Sequence, residues 1–200
     1  QIVSCATCIS PKVHSHKLSF LKHNELNSIL AFDKPFTCMA YGSSGTGKTF
    51  TINSLISYSA SFLLNSSHFE LSALEVYNND VYDILHRRTK LSRNNTSSST
   101  IIHSLNNFNS LFFNIKKRRM TSPTSFNKHS SRSHLIISLN NFTFIDLAGT
   151  EDHCDTQSNN INLSLLSLRD CIRAASSNKQ HIPYRNSKLT MCLQNKLSHN

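Results

Sequence analysis

Residues 36–49 read FTCMAYGSSGTGKT, an apolar run of strand-forming residues that leads directly into a glycine-rich loop. The loop, residues 42–49, matches the phosphate-binding pattern GxxxxGK[ST]. Residues 48–64 follow with apolar side chains at spacings that a helix gathers largely onto one face. Backbone N–H groups in such a strand–loop–helix unit converge on phosphate oxygens, and glycines let the chain approach them without a Cβ. The stretch therefore predicts a nucleotide site in an α/β domain.

The loop supplies the candidate nucleotide-binding residues, which are Gly42, Ser43, Ser44, Gly45, Thr46, Gly47, Lys48 and Thr49. Lys48 would reach the β- and γ-phosphates of the nucleotide, and the Thr49 hydroxyl would bind Mg²⁺. Asp146 follows a second apolar strand, residues 142–145, at the position of an aspartate that holds Mg²⁺. Gly149 then offers a backbone N–H for the γ-phosphate and the freedom to move when that phosphate leaves. A nucleotide with β- and γ-phosphates and a bound Mg²⁺ are the predicted ligands.

The rest of the chain alternates between strand and helix patterns. Residues 69–77 alternate as a strand does, residues 81–85 suggest a short helical turn, and residues 87–100 predict a mobile loop. Residues 105–119 predict a helix that ends in four cations, Lys116, Lys117, Arg118 and Arg119, whose charges favour the negative end of a helix dipole.

Towards the carboxyl end the pattern continues. Residues 135–139 and 142–145 predict a tight hairpin through Asn140 and Asn141, and residues 161–175 and 186–197 predict two further helices. We therefore expect a P-loop NTPase domain over residues 29–200, with a central, mostly parallel sheet flanked by helices, after a poorly defined segment at residues 1–28.

Composition limits the partners. Lys and Arg number 21 against 11 acidic residues, a net charge of +10, so a polyanion such as nucleic acid, acidic lipid or a microtubule is expected. No apolar run approaches the ~20 residues that span a bilayer, which argues against a membrane role. Six scattered cysteines lack the spacing of a secreted disulfide scaffold, so reduced thiols in the cytoplasm are expected.

Several motifs together resemble those of the kinesin motor domain. The loop AYGSSGTGKT (40–49), NKHSSRSH (127–134) and DLAGTE (146–151) look like the family's P-loop, its switch I motif NxxSSRSH and its switch II motif DLAGSE. LEVYNNDVYDIL (74–85), INLSL (161–165) and HIPYRNSKLT (181–190) are similar to LEIYNExxxDLL, INKSL and HVPYRDSKLT. Arg119, Thr124 and Asn127 are spaced like the family's RxxxxTxxN.

The resemblance implies roles for further residues. Ser130 and Ser131 would contact the γ-phosphate and Mg²⁺, and Arg132 would pair with Glu151 to close the two switches and order the attacking water. The last two helices would face acidic tubulin on a microtubule with a set of cations: Arg169, Arg173, Lys179, Arg185 and Lys188. The implied protein is an ATP-hydrolysing motor of the cytoplasmic microtubule cytoskeleton.

The sequence also departs from the family pattern. No RxRP motif precedes Gly42, and the connection from Glu151 to Ile161 is shorter than in kinesins. Relative to the family, the domain is expected to be incomplete at both ends, which leaves room for missing terminal strands. An inactive microtubule-binding relic is therefore one alternative. The other is a basic P-loop ATPase that acts on nucleic acid, favoured by the charge but not by the motifs.

Overall fold

The protein is described by a computed structural model at residues 5–9, 16–18, 36–43, 45–92, 97–120, 132–150 and 156–197. The α-helices of these residues are α1 (Lys48–Ser66), α2 (Leu105–Met120), α3 (Thr156–Ser176) and α4 (Lys188–Leu197), and a 3-10 turn covers Tyr184–Asn186. The strands are β1 (Cys5–Ile9), β2 (His16–Leu18), β3 (Phe36–Tyr41), β4 (Phe69–Tyr77), β5 (Asp80–Asp83), β6 (Thr89–Lys90), β7 (Thr100–Ile102), β8 (His134–Leu139) and β9 (Phe142–Asp146).

All nine strands of the described residues belong to one sheet, in the order β2-β1-β3-β9-β8-β4-β5-β6, with β7 paired to β4. The predicted α/β class is confirmed, but the sheet is mixed rather than mostly parallel. Within the described residues β3 and β9 form the parallel pair, and the other strand pairings are antiparallel. Two-residue turns account for the β4–β5 and β8–β9 pairs, since neighbouring strands joined by such turns must run in opposite directions.

The parallel pair of β3 and β9 determines where the predicted nucleotide site lies. In β3 and β9, Ala40 lies opposite Asp146, so the P-loop and the DLAGTE segment leave the sheet side by side at the carboxyl ends of neighbouring strands. Ligands of open α/β sheets bind at this kind of edge. The strand that leads into the P-loop and the strand that ends at Asp146 were both predicted from sequence, and their pairing is what brings the two motifs together.

Helices cover the sheet on two faces. One face packs α1 and α2 over an apolar core that includes Ile52, Ile56, Phe108, Phe112 and Phe144. On the other face α3 and α4 pack against the sheet through a second apolar core. Its buried side chains include Met39, Ile136, Ile145, Ile161, Leu165, Leu168, Leu189 and Leu193. Alternate residues of β8 and β9 serve opposite faces, as the two-residue period of a strand requires. Both faces of the central strands are therefore buried.

Asparagine makes the tight turns. In the β8–β9 hairpin Asn140 has φ 51°, which confirms the predicted turn, and its Oδ1 accepts a hydrogen bond from the Glu70 backbone N–H at 2.7 Å. In the β4–β5 hairpin Asn78 and Asn79 have φ 50° and 58°. Asparagine tolerates this left-handed conformation better than most residues do.

Three local predictions need correction. The segment predicted as a helical turn at residues 81–85 is mostly strand β5, because the Asn78–Asn79 turn folds it back onto β4. The loop predicted at residues 87–100 includes β6 and the first residue of β7. The last helix begins at Lys188 rather than at residue 186, after the 3-10 turn. Among the described helices none has the length and apolarity required to cross a bilayer.

Candidate nucleotide site

The P-loop bends sharply between β3 and α1. Gly45 and Gly47 have φ 80° and 86°, a left-handed conformation in which a side chain would be strained, so glycine is required at both positions. Gly47 is the residue before the first turn of α1, and its carbonyl accepts the Thr51 backbone N–H at 3.0 Å. The loop thus turns the chain so that α1 begins with its positive dipole end at the predicted phosphate position.

Lys48 and Thr49 lie at the start of α1, next to the end of β9. The Lys48 Nζ donates to the Ser43 carbonyl at 2.7 Å, and the Lys48 side chain is 7% exposed. Thr46 Oγ1 donates to the same carbonyl at 2.9 Å. Thr49 Oγ1 donates to Asp146 Oδ2 at 2.8 Å. The structure therefore brings together the predicted phosphate-binding lysine and the two predicted magnesium ligands that it describes.

The donor set suits Mg²⁺. A hydroxyl and a carboxylate are hard oxygen ligands of the kind that Mg²⁺ prefers. Asp146 is buried, and its Oδ1 has no hydrogen-bond partner among the described residues. A buried carboxylate oxygen of this kind is costly unless a cation or a donor reaches it. Thr49 and Asp146 therefore fit the predicted role.

The P-loop is also tied to the segment that follows β9. Ser43 and Thr150 form an isolated parallel bridge, and the Thr150 backbone N–H donates to the Gly42 carbonyl at 3.3 Å. Gly149, whose amide was predicted to meet the γ-phosphate, is buried directly before Thr150. The two segments are therefore held together at the edge of the sheet where the ligand is expected.

Arg119 is a site residue whose role the sequence pattern missed. Instead of lying at a solvated helix end, Arg119 is buried and its Nη1 donates to Asp146 Oδ2 at 2.5 Å. Its Nε and Nη2 donate to the Ser133 hydroxyl and carbonyl at 3.2 and 2.8 Å. The spacing of Arg119 ahead of the NKHSSRSH motif was the available signal. Arg119 thus links α2, the start of β8 and the end of β9, and it orients the Asp146 carboxylate.

Replacing Arg119 with alanine should destabilise the fold strongly. The change leaves Asp146 buried without its guanidinium partner, and breaking a buried pair from one side costs about 3–5 kcal/mol. Chemical denaturation of the nucleotide-free chain measures this loss. Lys90→Ala is the matched control, because the Lys90–Asp80 pair has a similar distance, 2.7 Å, but side chains that are 60% and 37% exposed. Equal midpoints for the two variants would contradict the assigned role of Arg119.

The predicted cations of the partner-facing surface lie on α3, in the segment between α3 and the 3-10 turn, on that turn and at the start of α4. Arg169, Arg173, Lys179 and Arg185 are exposed, and Lys188 is partly buried. The Arg169 guanidinium lies 3.9 Å from Asp170, and both side chains are largely exposed, so this pair screens the surface only weakly. Most of these positive charges are therefore accessible to a partner.

Other motif residues fix the start of α4. The Ser187 hydroxyl accepts the Thr190 backbone N–H at 3.1 Å, and Thr190 Oγ1 accepts the Ser187 N–H at 3.2 Å, a reciprocal helix cap. Asn79 Oδ1, from the β4–β5 turn, accepts the Lys188 N–H at 3.0 Å. Two motifs far apart in sequence, around Asn79 and Ser187, therefore meet, and they fix the segment that carries Arg185 and Lys188.

Four predicted site residues, Ser44, Ser130, Ser131 and Glu151, lie outside the described residues, so the Arg132–Glu151 pair and the third magnesium ligand stay predictions. Arg132 itself is described and lines a small cavity together with His134, Asn160 and Ser164.

Known proteins place this geometry in a family. The kinesin motor domain profile matches residues 19–200. The chain is 34% identical to the kinesin-like protein KIN-13B of Arabidopsis thaliana and 32% identical to the kinesin-like protein KIN-13A of Oryza sativa subsp. japonica, with 79% of the chain aligned in each case. It spans only 30% and 26% of those two relatives.

Solved structures agree. The motor domain of the kinesin-related protein KAR3 of Saccharomyces cerevisiae superposes with a TM-score of 0.66 at 30% identity, covering 88% of this chain and 69% of that one. A second match is a crystal structure of kinesin mutants that is described as revealing a signalling pathway for activation of the motor ATPase. It superposes with a TM-score of 0.63 at 31% identity, covering 89% of this chain and 67% of that one. The P-loop, the Thr49–Asp146 contact and these matches have one explanation: the chain belongs to the kinesin motor domain family.

Proposed function

We propose that the chain is a microtubule motor ATPase, which hydrolyses Mg²⁺-ATP and couples the reaction to binding and movement along microtubules in the cytoplasm. The observation that carries the proposal is the meeting of Lys48, Thr49 and Asp146 at the carboxyl ends of β3 and β9. The proposed ATPase domain covers residues 29–200. The family assignment supports this function, and nucleic-acid binding retains only the net charge in its favour.

The P-loop residues would bind the phosphates. Loop amides and the first turn of α1 provide backbone donors, and Gly45 and Gly47 give the loop the shape in which these donors converge. Lys48 has to exchange the Ser43 carbonyl for β- and γ-phosphate oxygens, which a flexible four-carbon side chain allows. Thr49, Asp146 and Ser131 would hold Mg²⁺, which neutralises charge on the phosphates.

Hydrolysis would depend mainly on positioning. Water attacks the γ-phosphorus, the bond to the β–γ bridging oxygen breaks, and ADP and phosphate leave. Ser130 and the Gly149 amide would contact the γ-phosphate, and Arg132 and Glu151 would close over it and order the water. Arg119 supports this arrangement indirectly, because it orients Asp146 through the buried ion pair. Each contact is most valuable if it is made in the transition state rather than with bound ATP alone.

A group of cations on and between α3 and α4 would bind the microtubule. α3 and α4 pack on the face of the sheet opposite α1 and α2. The cations are Arg169 and Arg173 of α3, Lys179 in the segment after α3, Arg185 of the 3-10 turn and Lys188 of α4. Their complement is an acidic protein surface such as that of tubulin. The caps from Asn79, Ser187 and Thr190 support this role, since they hold the start of α4 in a defined position.

Microtubule binding should be sensitive to salt and to these charges. Affinity should fall steeply between low and physiological ionic strength, because screening weakens exposed charge pairs. Arg185→Glu with Lys188→Glu should weaken binding by on the order of tenfold or more while basal ATPase survives. Co-sedimentation with microtubules measures both effects.

Lys117→Glu provides the control for this experiment, because Lys117 is exposed on α2 at the opposite face. Affinity that ignores salt and the Arg185 and Lys188 reversal, or that responds equally to Lys117→Glu, would place the interface elsewhere. Binding to DNA in preference to microtubules would instead favour the nucleic-acid alternative.

A further inference from the structure

A buried hydrogen-bond chain joins the segment after β9 to helix α3. The Ala148 backbone N–H donates to His134 Nδ1 at 3.1 Å, and His134 Nε2 lies 2.7 Å from Ser164 Oγ. Ser164 Oγ in turn donates to the Ile161 carbonyl at 2.7 Å. His134, Ala148 and Ser164 are all buried. These hydrogen bonds connect three parts of the protein: the start of β8, the segment that carries Gly149, and the first half of α3.

The direction of each bond follows from the groups involved. A backbone N–H can only donate, so Nδ1 of His134 must be its unprotonated, accepting nitrogen. The proton of the neutral ring therefore lies on Nε2, which donates to Ser164 Oγ. The Ser164 hydroxyl proton remains for the Ile161 carbonyl. Burial and, secondarily, the charge of Arg119 lower the pKa of His134 to about 3, so the ring stays neutral near physiological pH.

The surroundings distinguish this chain from an ordinary satisfied core histidine. Around it, the sheet and α3 meet through apolar residues such as Ile136, Ile145 and Leu165, which pack without directional bonds. A cavity of about 10 Å³, room for about one water, lies beside His134 and Ser164 and is also lined by Arg132 and Asn160. The His134–Ser164 hydrogen bond is therefore a directional contact between the sheet and α3, beside a small cavity in an otherwise apolar interface.

We infer that His134 is a positioning residue that transmits the state of α3 to the phosphate-sensing segment, through Ser164 on one side and the Ala148 amide on the other. The inference rests on the proposed function, in which α3 faces the microtubule and the neighbouring Gly149 amide meets the γ-phosphate. A shift of α3 on the microtubule moves Ser164, His134 follows because Nε2 is bound to Ser164, and Nδ1 carries the Ala148 amide with it. Loss of this hydrogen-bond chain should uncouple microtubule binding from ATP turnover.

Ser164→Ala tests this with little change in volume. We expect the variant to keep its microtubule affinity and its basal turnover within about twofold, but to lose stimulation by roughly 5- to 100-fold, the usual range of coupling between sites. Ser167→Ala is the matched control. Ser167 is also a buried serine of α3 that donates to a carbonyl of its own helix, Leu163 at 2.8 Å, and its hydroxyl serves that bond instead of His134. Denaturation of both variants checks the fold.

Variants of His134 test the two halves of the chain. His134→Asn can still accept the Ala148 N–H but is too short to reach Ser164, and His134→Gln can reach Ser164 with its amide but loses the Nδ1 contact. Each should lose stimulation. The double variant His134→Asn with Ser164→Ala should lose no more microtubule stimulation than either single variant, because both changes break the same hydrogen bond. If the histidine variants do not fold, the comparison of Ser164 with Ser167 decides.

Any of three results would overturn the inference while the motor function stands. Ser164→Ala could keep full stimulation by microtubules, or Ser164→Ala and Ser167→Ala could lose stimulation equally. In the third, the double variant would lose stimulation by the product of the two single losses. A wild-type chain that binds microtubules without any stimulation, or does not bind them, would instead contradict the proposed function, and the inference would fall with it.

Discussion

Lys48→Ala is expected to remove measurable nucleotide binding. Lys48 provides the protein charge closest to the predicted β- and γ-phosphates, and loss of such a desolvated charge contact costs about 2–5 kcal/mol. The corresponding loss of affinity is roughly 30-fold to several thousand-fold. The fold should persist, because the change removes the bond to the Ser43 carbonyl but no side chain of either apolar core.

Calorimetric titration with Mg²⁺-ATP measures the Lys48 effect. Lys90→Ala is a suitable control, since Lys90 is an exposed lysine at the edge of the sheet that pairs with Asp80. Its ATP affinity should match that of the wild type. Unchanged ATP affinity in Lys48→Ala would reject the nucleotide site itself.

Arg132→Ala and Glu151→Ala are expected to separate binding from turnover. The proposed pair forms only when ATP closes the switches, so it belongs to the reactive state. ATP binding should stay nearly intact, because Lys48, Thr49 and the loop amides remain. Turnover should fall by about 10²–10³, the usual loss for one preorganised electrostatic contact. Single-turnover hydrolysis beside an ATP-binding assay measures both quantities.

A charge swap, Arg132→Glu with Glu151→Arg, serves as the further control for this pair. Some closure should return, but rescue should be poor because the exchanged side chains misplace the attacking water. Mutants that hydrolyse ATP at the wild-type rate would show that the pair has no part in the reaction.

Local patterns predicted the elements that form the proposed nucleotide site. The apolar run ending at Tyr41 is β3, the GxxxxGK[ST] loop precedes α1, and the run ending before Asp146 is β9. Each depends on neighbouring residues, through strand alternation, glycine at left-handed positions or helix periodicity. The contact between Thr49 and Asp146, 97 residues apart, could be expected only because the two motifs share a mechanism.

Pairing between distant residues was harder to predict. Lys116 to Arg119 read as cations of a helix end, yet Arg118 Nη1 donates to the carbonyls of Ile84 and Leu85, and Arg119 is buried against Asp146. Lys48 is almost fully buried, which its place in a phosphate-binding loop does not reveal. Sheet direction was missed for the same reason, because antiparallel pairs such as β4–β8 join strands that are far apart in the sequence. Periodicity describes one element at a time and carries no information about its tertiary partner.

The departures from the family pattern make activity the central question. The missing RxRP motif and the short connection after Glu151 are compatible with a domain that binds microtubules without turning over ATP. A phosphate-release assay of the wild-type chain, with and without microtubules and with Arg132→Ala and Glu151→Ala beside it, tests the motor proposal most directly. The account predicts release by the wild type that rises with microtubule concentration and falls by about 10²–10³ in both variants. Wild-type release at background level, equal to that of the variants, would contradict it and leave a microtubule-binding domain with an inactive site.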